Sequence, residues 1–210
     1  EAVSVLTEPE LAGAVRIGTP DDYASRFLPP ILVRFARSHP RVQVEVHCEP
    51  SRRLRAALEK EELDLALVTC PPGEENGEIL RREPVVWATS ERHQVHTQEP
   101  LPLAVFHSGC IFRAWAIRAL DAAGRSYRIA YSSPSIAGIQ AAVLSGLAVT
   151  ALGQSTLAPG MRALGVEEGF PTLPASTIAL LRAPGRRSRV IDSLARQVAD
   201  CFRSLESEAA

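Results

Sequence analysis

The chain has 210 residues, with 23 Lys and Arg against 24 Asp and Glu and a formal net charge of −1, a balance that leaves no basic field for gripping nucleic acid or an anionic membrane surface. No apolar run reaches the length of a membrane span, and Glu1 to Glu10 lacks the basic and apolar regions of a signal peptide, so a cytoplasmic setting is the default expectation. Cys48, Cys70, Cys110 and Cys201 form no C-x-x-C pair, so they read as reduced thiols and not as a zinc site or disulfide framework.

The first apolar stretch, Ala14 to Gly18, is bounded by glycines and predicts a buried strand. A helix follows, because Tyr23, Phe27, Ile31 and Phe35 recur every four residues, Leu28, Leu32 and Ala36 widen the stripe, and Arg26, Arg34 and Arg37 fall outside it. Pro29 and Pro30 predict a kink or restart, and His39-Pro40 predicts the helix end. Val42, Val44 and Val46 alternate with Gln43, Glu45 and His47 as in a strand. Ser51 is expected to cap a second helix carrying Leu54, Ala57 and Leu58, after which Leu63 to Val68 returns as a third strand. Strand, helix, strand, helix, strand predicts a parallel sheet with crossover helices.

"CPPGEENGE" reads as a surface loop and Pro84 to Ser90 as another strand. The pattern then starts again: "LPLAVF" a strand, Ile111 to Ala123 a helix with Phe112, Trp115, Ala119 and Leu120 on its apolar face, "YRIAYSS" a strand, "PSIAGIQAAVLSG" a helix, "LAVTALG" a strand. Finally "STIALLRA" is a strand, and "SRVIDSLARQVADCF" is an amphipathic helix whose Val190, Leu194, Val198 and Phe202 must be buried against the first half. Two crossings, near Trp87 to Ser90 and near Ala183 to Ser188, predict a hinged two-lobed α/β clamshell. Residues 13–87 with 187–206 form lobe I, 88–186 form lobe II, and each is a Rossmann-like sheet with flanking helices.

"GAVRIGTPDDYASRFLPPILVRFARSHPRVQVEV", "LRAALEKEELDLALV", "VVWATS" and "IQAAVLSGLAVTALG", in that order, resemble the effector-binding domain of LysR-type transcriptional regulators. "LPLAVFHSGCIFRAWAIRALDAAGRSYRIAYSSPS" looks most like the LrhA/HexA/PecT-like branch. The resemblance implies a fold like type 2 periplasmic binding proteins, with a small effector held in the cleft between lobes. It also implies homodimers or homotetramers, and a winged helix-turn-helix with a linker helix before this domain. Residues 1–12, "EAVSVLTEPEL" with Ala12, look like the end of that linker, so DNA contact is expected only through a part outside this chain. No cofactor, metal or membrane partner is expected.

Ligands of open α/β sheets bind at the carboxyl ends of strands, where helix N-termini converge. Those ends are Thr19, Pro20, Asp21 and Asp22; Cys48 to Ser51; Thr69 and Cys70; Ser108, Gly109 and Cys110; Ser132, Ser133 and Ser135; and Leu152 to Gln154. The family's effector contacts carry over best to Thr19, Ser51 and Ser133, although Ser51, Ser133 and Ser135 read equally well as helix caps. Asp21 and Asp22 suit a helix N-terminus but would repel an acidic ligand there. A thiol at a helix start has a lowered pKa, which makes Cys48, Cys70 and Cys110 candidates for a redox sensor; small buried apolar packing is the other reading. His93 and His96 read as a solvated loop, and Trp87 as packing. A transport-type solute-binding protein on the same fold is the competing function. Enzyme motifs are missing from the sequence: it holds no G-x-S-x-G, P-loop, H-E-x-x-H or G-x-G-x-x-G.

Overall fold

The computed structural model describes residues 11–207, so the linker resemblance falls, but for Leu11 and Ala12, outside the described residues. In chain order these residues form β1 (Ala12–Thr19), α1 (Asp21–Ser38), β2 (Arg41–Cys48), α2 (Ser51–Glu59), β3 (Leu65–Cys70), β4 (Glu78–Glu83) and β5 (Val85–Ser90). There follow β6 (Leu101–Val105), α3 (Ile111–Ala122), β7 (Tyr127–Ser132), α4 (Ile136–Leu144), β8 (Thr150–Gly153), β9 (Met161–Leu164), β10 (Ser176–Arg182) and α5 (Arg189–Ser207). The chain divides into two compact units. One takes the segment up to Pro20, Phe27–Val68 and the segment from Leu180; the other takes Asp21–Arg26 and Thr69–Ala179.

In the first unit β1 runs parallel to β2 in continuous register from Ala12 opposite Arg41 to Thr19 opposite Cys48, and its other side pairs with β3. Within this unit the strand order is β2-β1-β3, with β10, whose later half belongs here, next to β3. As the edge strand, β2 leaves Val46 exposed, whereas central β1 and β3 bury Val15, Ile17, Leu65, Leu67 and Val68. Gly18 lets α2 approach closely, since a Cβ there would stand 2.5 Å from Leu54 Cδ2 and 2.6 Å from Leu63 Cδ1. The stripe of α5 is buried along Val190, Leu194, Val198 and Phe202, and the Phe202 ring packs 4.7 Å from that of Phe27.

Asp64 ties this unit together. Its carboxylate accepts from Arg16 N at 2.8 Å, from Arg16 Nη2 at 3.0 Å and from Arg186 Nη1 at 3.1 Å. Burial opposes the ionised form, but those hydrogen bonds outweigh it and hold the carboxyl below its ordinary pKa.

In the second unit β6 and β7 are parallel, and Leu103 of β6 bridges to Val149 just ahead of β8. β5 then pairs antiparallel with both β8 and β9, so the sheet on this side is mixed where the strand-helix alternation alone suggested parallel pairing. One apolar cluster gathers Phe112, Trp115, Ile136, Ile139 and Val143; another gathers Trp87, Leu101, Leu103, Leu120 and Phe170. Trp87 is packed as expected, with Nε1 donating to Pro171 O at 2.8 Å.

Three local expectations are corrected. No restart occurs at Pro29 and Pro30, because α1 is helical from Asp21 to Ser38; proline's φ suits a helix, and Phe27, Leu28, Ile31 and Phe35 bury both flanks of the pair. Ser51 does not cap α2: Pro50 holds the N-cap position and Ser51 the first helical one. Two strands, β4 and β9, went unread. β4 is "EILRRE", with charge at four of its six positions, and β9 is "MRAL", too short for periodicity to register.

Candidate functional site

The carboxyl ends of β6 and β7 lie side by side, with Val105 opposite Ser132 and Ser133 N donating to Val105 O at 3.1 Å. From this edge the chain enters α3 through Ser108-Gly109-Cys110 and α4 through Ser133-Pro134-Ser135. Gly109 takes φ 98°, which glycine adopts without penalty, and Cys110 is the N-cap of α3. Ser135 caps α4, accepting from Ala137 N at 3.3 Å, so the capping reading holds for this residue. Ser133 Oγ accepts from Ser135 N at 3.1 Å, and a Cβ at Gly138 would stand 2.9 Å from Ser133 Cβ, so the glycine makes room for that turn.

The first two turns of α1 belong to this same unit and complete the arrangement. Asp21 Oδ2 accepts from Ser135 Oγ at 3.0 Å and from Ile136 N at 2.7 Å. Its charge is thus set against the positive end of α4, not left free to repel a ligand. Asp22 is buried. Desolvation pushes its carboxyl up to about 7; Asp21 and Glu83 add to the rise, and the backbone N–H groups of Tyr23 and Asp22 work against it. Thr69 Oγ1 donates to Tyr23 Oη at 2.9 Å, and burial holds that phenol well above its ordinary pKa. Arg26 Nε donates to Ser155 O at 3.0 Å, while Ser155 N donates to Glu83 Oε1 at 2.7 Å. Glu83 is fully buried, with Arg81 Nε 2.9 Å from its other oxygen.

Of the candidates read from sequence, Asp21, Ser133 and Ser135 are brought together, and Thr69 joins them through Tyr23 in the same α1 segment. Ser108, Gly109 and Ser132 are exposed beside them on the edge. Cys70 is fully buried at the end of β3, and Leu152 and Gly153 are buried too, whereas Gln154 is exposed. In the first unit Thr19 is fully buried, with Oγ1 donating to Pro20 O at 3.2 Å. Cys48 is exposed at the end of β2. None of Tyr23, Arg26, Glu83 and Ser155 is among the site candidates read from sequence, where Tyr23 and Arg26 enter only as positions on and off the apolar stripe of α1. Only Arg26 carried a signal, one helical turn from Asp22 and so on the same face.

The thiol and histidine expectations change. Burial pushes the Cys110 thiol up, and the backbone N–H groups of Arg113 and Phe112 offset this only in part. That is the opposite of the lowering expected at a helix start. His96 is not in a solvated loop: it is buried, 3.4 Å from Arg162 Nη2 and 3.7 Å from Glu168 Oε1, and burial followed by Arg162 holds its pKa below the ordinary value. Among the described residues no group of three or more His, Cys, Asp or Glu is placed to hold a metal ion, and no helix is long and apolar enough to cross a membrane.

Comparison with known proteins places this geometry. The family described as LysR substrate binding domain matches residues 9–203. The chain is 37% identical over 198 residues to the HTH-type transcriptional regulator DgdR of Burkholderia cepacia, covering 94% of this chain and 67% of that protein. It is 30% identical over 194 residues to the HTH-type transcriptional regulator PecT of Dickeya dadantii, covering 92% and 61%. Among solved structures, the Synechocystis CcmR regulatory domain, in complex with 2-PG, superposes with a TM-score of 0.70 at 19% identity, covering 91% of this chain and 98% of that one.

Proposed function

The chain belongs to the LysR substrate binding domain family, and from that premise we propose that it is the effector-sensing part of a transcription regulator. It spans 67% and 61% of the lengths of the two regulators named above, so contact with DNA is assigned to the rest of such a protein. In this reading the regulator works in the cytoplasm as a homodimer or homotetramer. The small molecule is met by the polar edge of the second unit, at Ser108, Gly109, Cys110, Ser132, Ser133 and Ser135, with Asp21 and Thr69. Family contacts carry over to Thr19, Ser51 and Ser133, and Pro20 and Cys70 are candidates by their place at strand ends.

The observation that carries the reading is the pair of helix starts at the ends of adjacent parallel strands. Helix starts present unpaired N–H groups to a ligand, and here the donors of α4 are aimed well enough to hold a carboxylate, that of Asp21. A binder of this kind shifts a two-state protein only by its difference in affinity for the two states.

A thermal-shift screen of small acids, amines, aromatic metabolites and oxidants tests it. A ligand at a hundred times its Kd adds about 2.7 kcal/mol to the folded state. The expected result is a saturable rise in Tm with at least one class, lost on Ser133→Ala or Ser135→Ala. Turnover of the hit, or no rise with any class, would remove the proposal.

A further inference from the structure

Helix α1 is shared: Asp21–Arg26 belongs to the second unit and the helix from Phe27 onward to the first. The early segment is fastened at three points. Asp21 accepts from Ser135 Oγ and Ile136 N at 3.0 and 2.7 Å, Tyr23 Oη accepts from Thr69 Oγ1 at 2.9 Å, and Arg26 Nε donates to Ser155 O at 3.0 Å. The later segment is anchored apart from these, by Phe27, Ile31 and Phe35, all buried, and by the packing of Phe27 on Phe202.

Pro29 and Pro30 follow Phe27, the first anchor of the later segment, and weaken the passage from one set of anchors to the other through the rungs they lack. Each helical N–H bonds to the carbonyl four residues earlier, and proline has none. Pro29 therefore leaves Ser25 O without its rung and Pro30 leaves Arg26 O without its rung. Two successive rungs are missing at the last residues of the early segment. No other proline lies inside a described helix. The seat of the segment is also incompletely satisfied, because Ser155 Oγ is buried without a hydrogen bond, and Asp22, also in the segment, is a buried carboxyl that resists ionisation.

We propose that Asp21–Arg26 is a strap: a segment that fastens over the start of α4 and peels away at the Ser25 and Arg26 carbonyls, whose helical rungs Pro29 and Pro30 remove, so that Ser135 and Ile136 are offered to an effector only when it is open. The inference rests on the effector role proposed above and supplies its switch. Fastened, Asp21 occupies the donors that an incoming ligand group needs. Opened, the strap moves as a unit, while the helix from Phe27 onward stays on its own core.

Amide hydrogen exchange on the 210-residue chain, read residue by residue, tests this. In Asp21→Ala the amides of Ile136 and of Ser25 to Phe27 should exchange at least tenfold faster than in the unsubstituted chain, and those of Phe35 to Ser38 less than twofold faster. Asp21→Asn keeps an acceptor and should fall between the two; it serves as the readout if the alanine variant does not fold. In Pro29→Ala/Pro30→Ala, which restores both rungs, exchange at Ser25 to Phe27 should slow at least threefold. A uniform response along α1, an unmoved Ile136 amide, or unslowed exchange in the double alanine variant would each overturn the strap. A thermal-shift ligand that leaves strap exchange unchanged would overturn the strap and keep the effector role. A strap behaving as stated in a chain that answers no compound would keep the strap and remove the effector role.

Discussion

The two units bury very different interiors. Among the described residues the buried polar side chains of the first unit are Thr19 and Asp64, and those of the second are Asp22, Glu83, Thr89, Ser90, His96, Thr150, Thr156, Ser176 and Thr177. Asp64 is satisfied by two arginines, and Glu83 of the second unit by Arg81 and Ser155 N, whereas buried atoms of Thr89, His96, Thr150 and Ser155 in the second unit lack hydrogen bonds. An unpaired buried polar group costs about 1–3 kcal/mol. The first unit thus satisfies its few buried polar groups, and the second holds several at a cost in stability. The strap sits on the second interior and is continuous with the first.

If that contrast is right, the largest losses of stability come from the first unit. Phe202→Ala should destabilise by about 4 kcal/mol, through the lost contact with Phe27 and the cavity left on α5; urea denaturation measures it, and a loss below about 1 kcal/mol would break the contrast. Asp64→Ala should cost about 3 kcal/mol by stranding Arg16 and Arg186. The Asp64 carboxyl is held below its ordinary pKa, so its contribution is present above that ordinary value and lost as pH falls through the folded one. Asp64→Asn should accordingly flatten the acid limb of a stability-against-pH curve.

Asp22 sharpens the comparison with the opposite sign. Its folded pKa is raised to about 7, so its contribution to stability is fully present below the ordinary carboxylate range and lost as pH rises through about 7. Asp22→Asn should leave stability unchanged near pH 4 and raise it by about 2 kcal/mol near pH 8, read as Tm across that range. A destabilised variant at pH 8 would show that the carboxylate is stabilised there. The smallest effect concerns the thiols. Exposed Cys48 should be alkylated first by a maleimide, Cys110 slowly because its thiol is held protonated, and buried Cys70 and Cys201 only on unfolding. Mass mapping that found Cys110 first would reverse the reading of that helix start.

Much of this was legible in the sequence where periodicity governs. The stripes of α1 and α5 run over 18 and 19 residues, long enough for the spacing of Tyr23 to Phe35 and of Val190 to Phe202 to stand out. The parallel pairing of β1 with β2 and β3 followed from the alternation of strand and helix. What stayed hidden depends on contacts distant in sequence. The antiparallel turn of β5 between β8 and β9 is set by tertiary pairing. Ser51 gave a good cap residue, yet Pro50 holds the cap, one position being the usual uncertainty of such readings. At the site, Ser135 and Asp21 were each visible as helix-start residues, but the bond between them joins positions 114 residues apart, and Glu83 looked like any surface charge.

The two units also differ in how their sequence is gathered. Everything the second needs has been made once Ala179 is joined on, whereas the first stays short of β10's later half and α5 until the stretch from Leu180 is supplied. Chains fold in the order in which they leave the ribosome, and distant pairings are slow to close. During synthesis the first unit must therefore wait with the face that receives α5, Phe27 included, uncovered while the later unit takes shape. Stop codons or cleavage within 190–207 would leave that face bare, a substrate for chaperones and proteases.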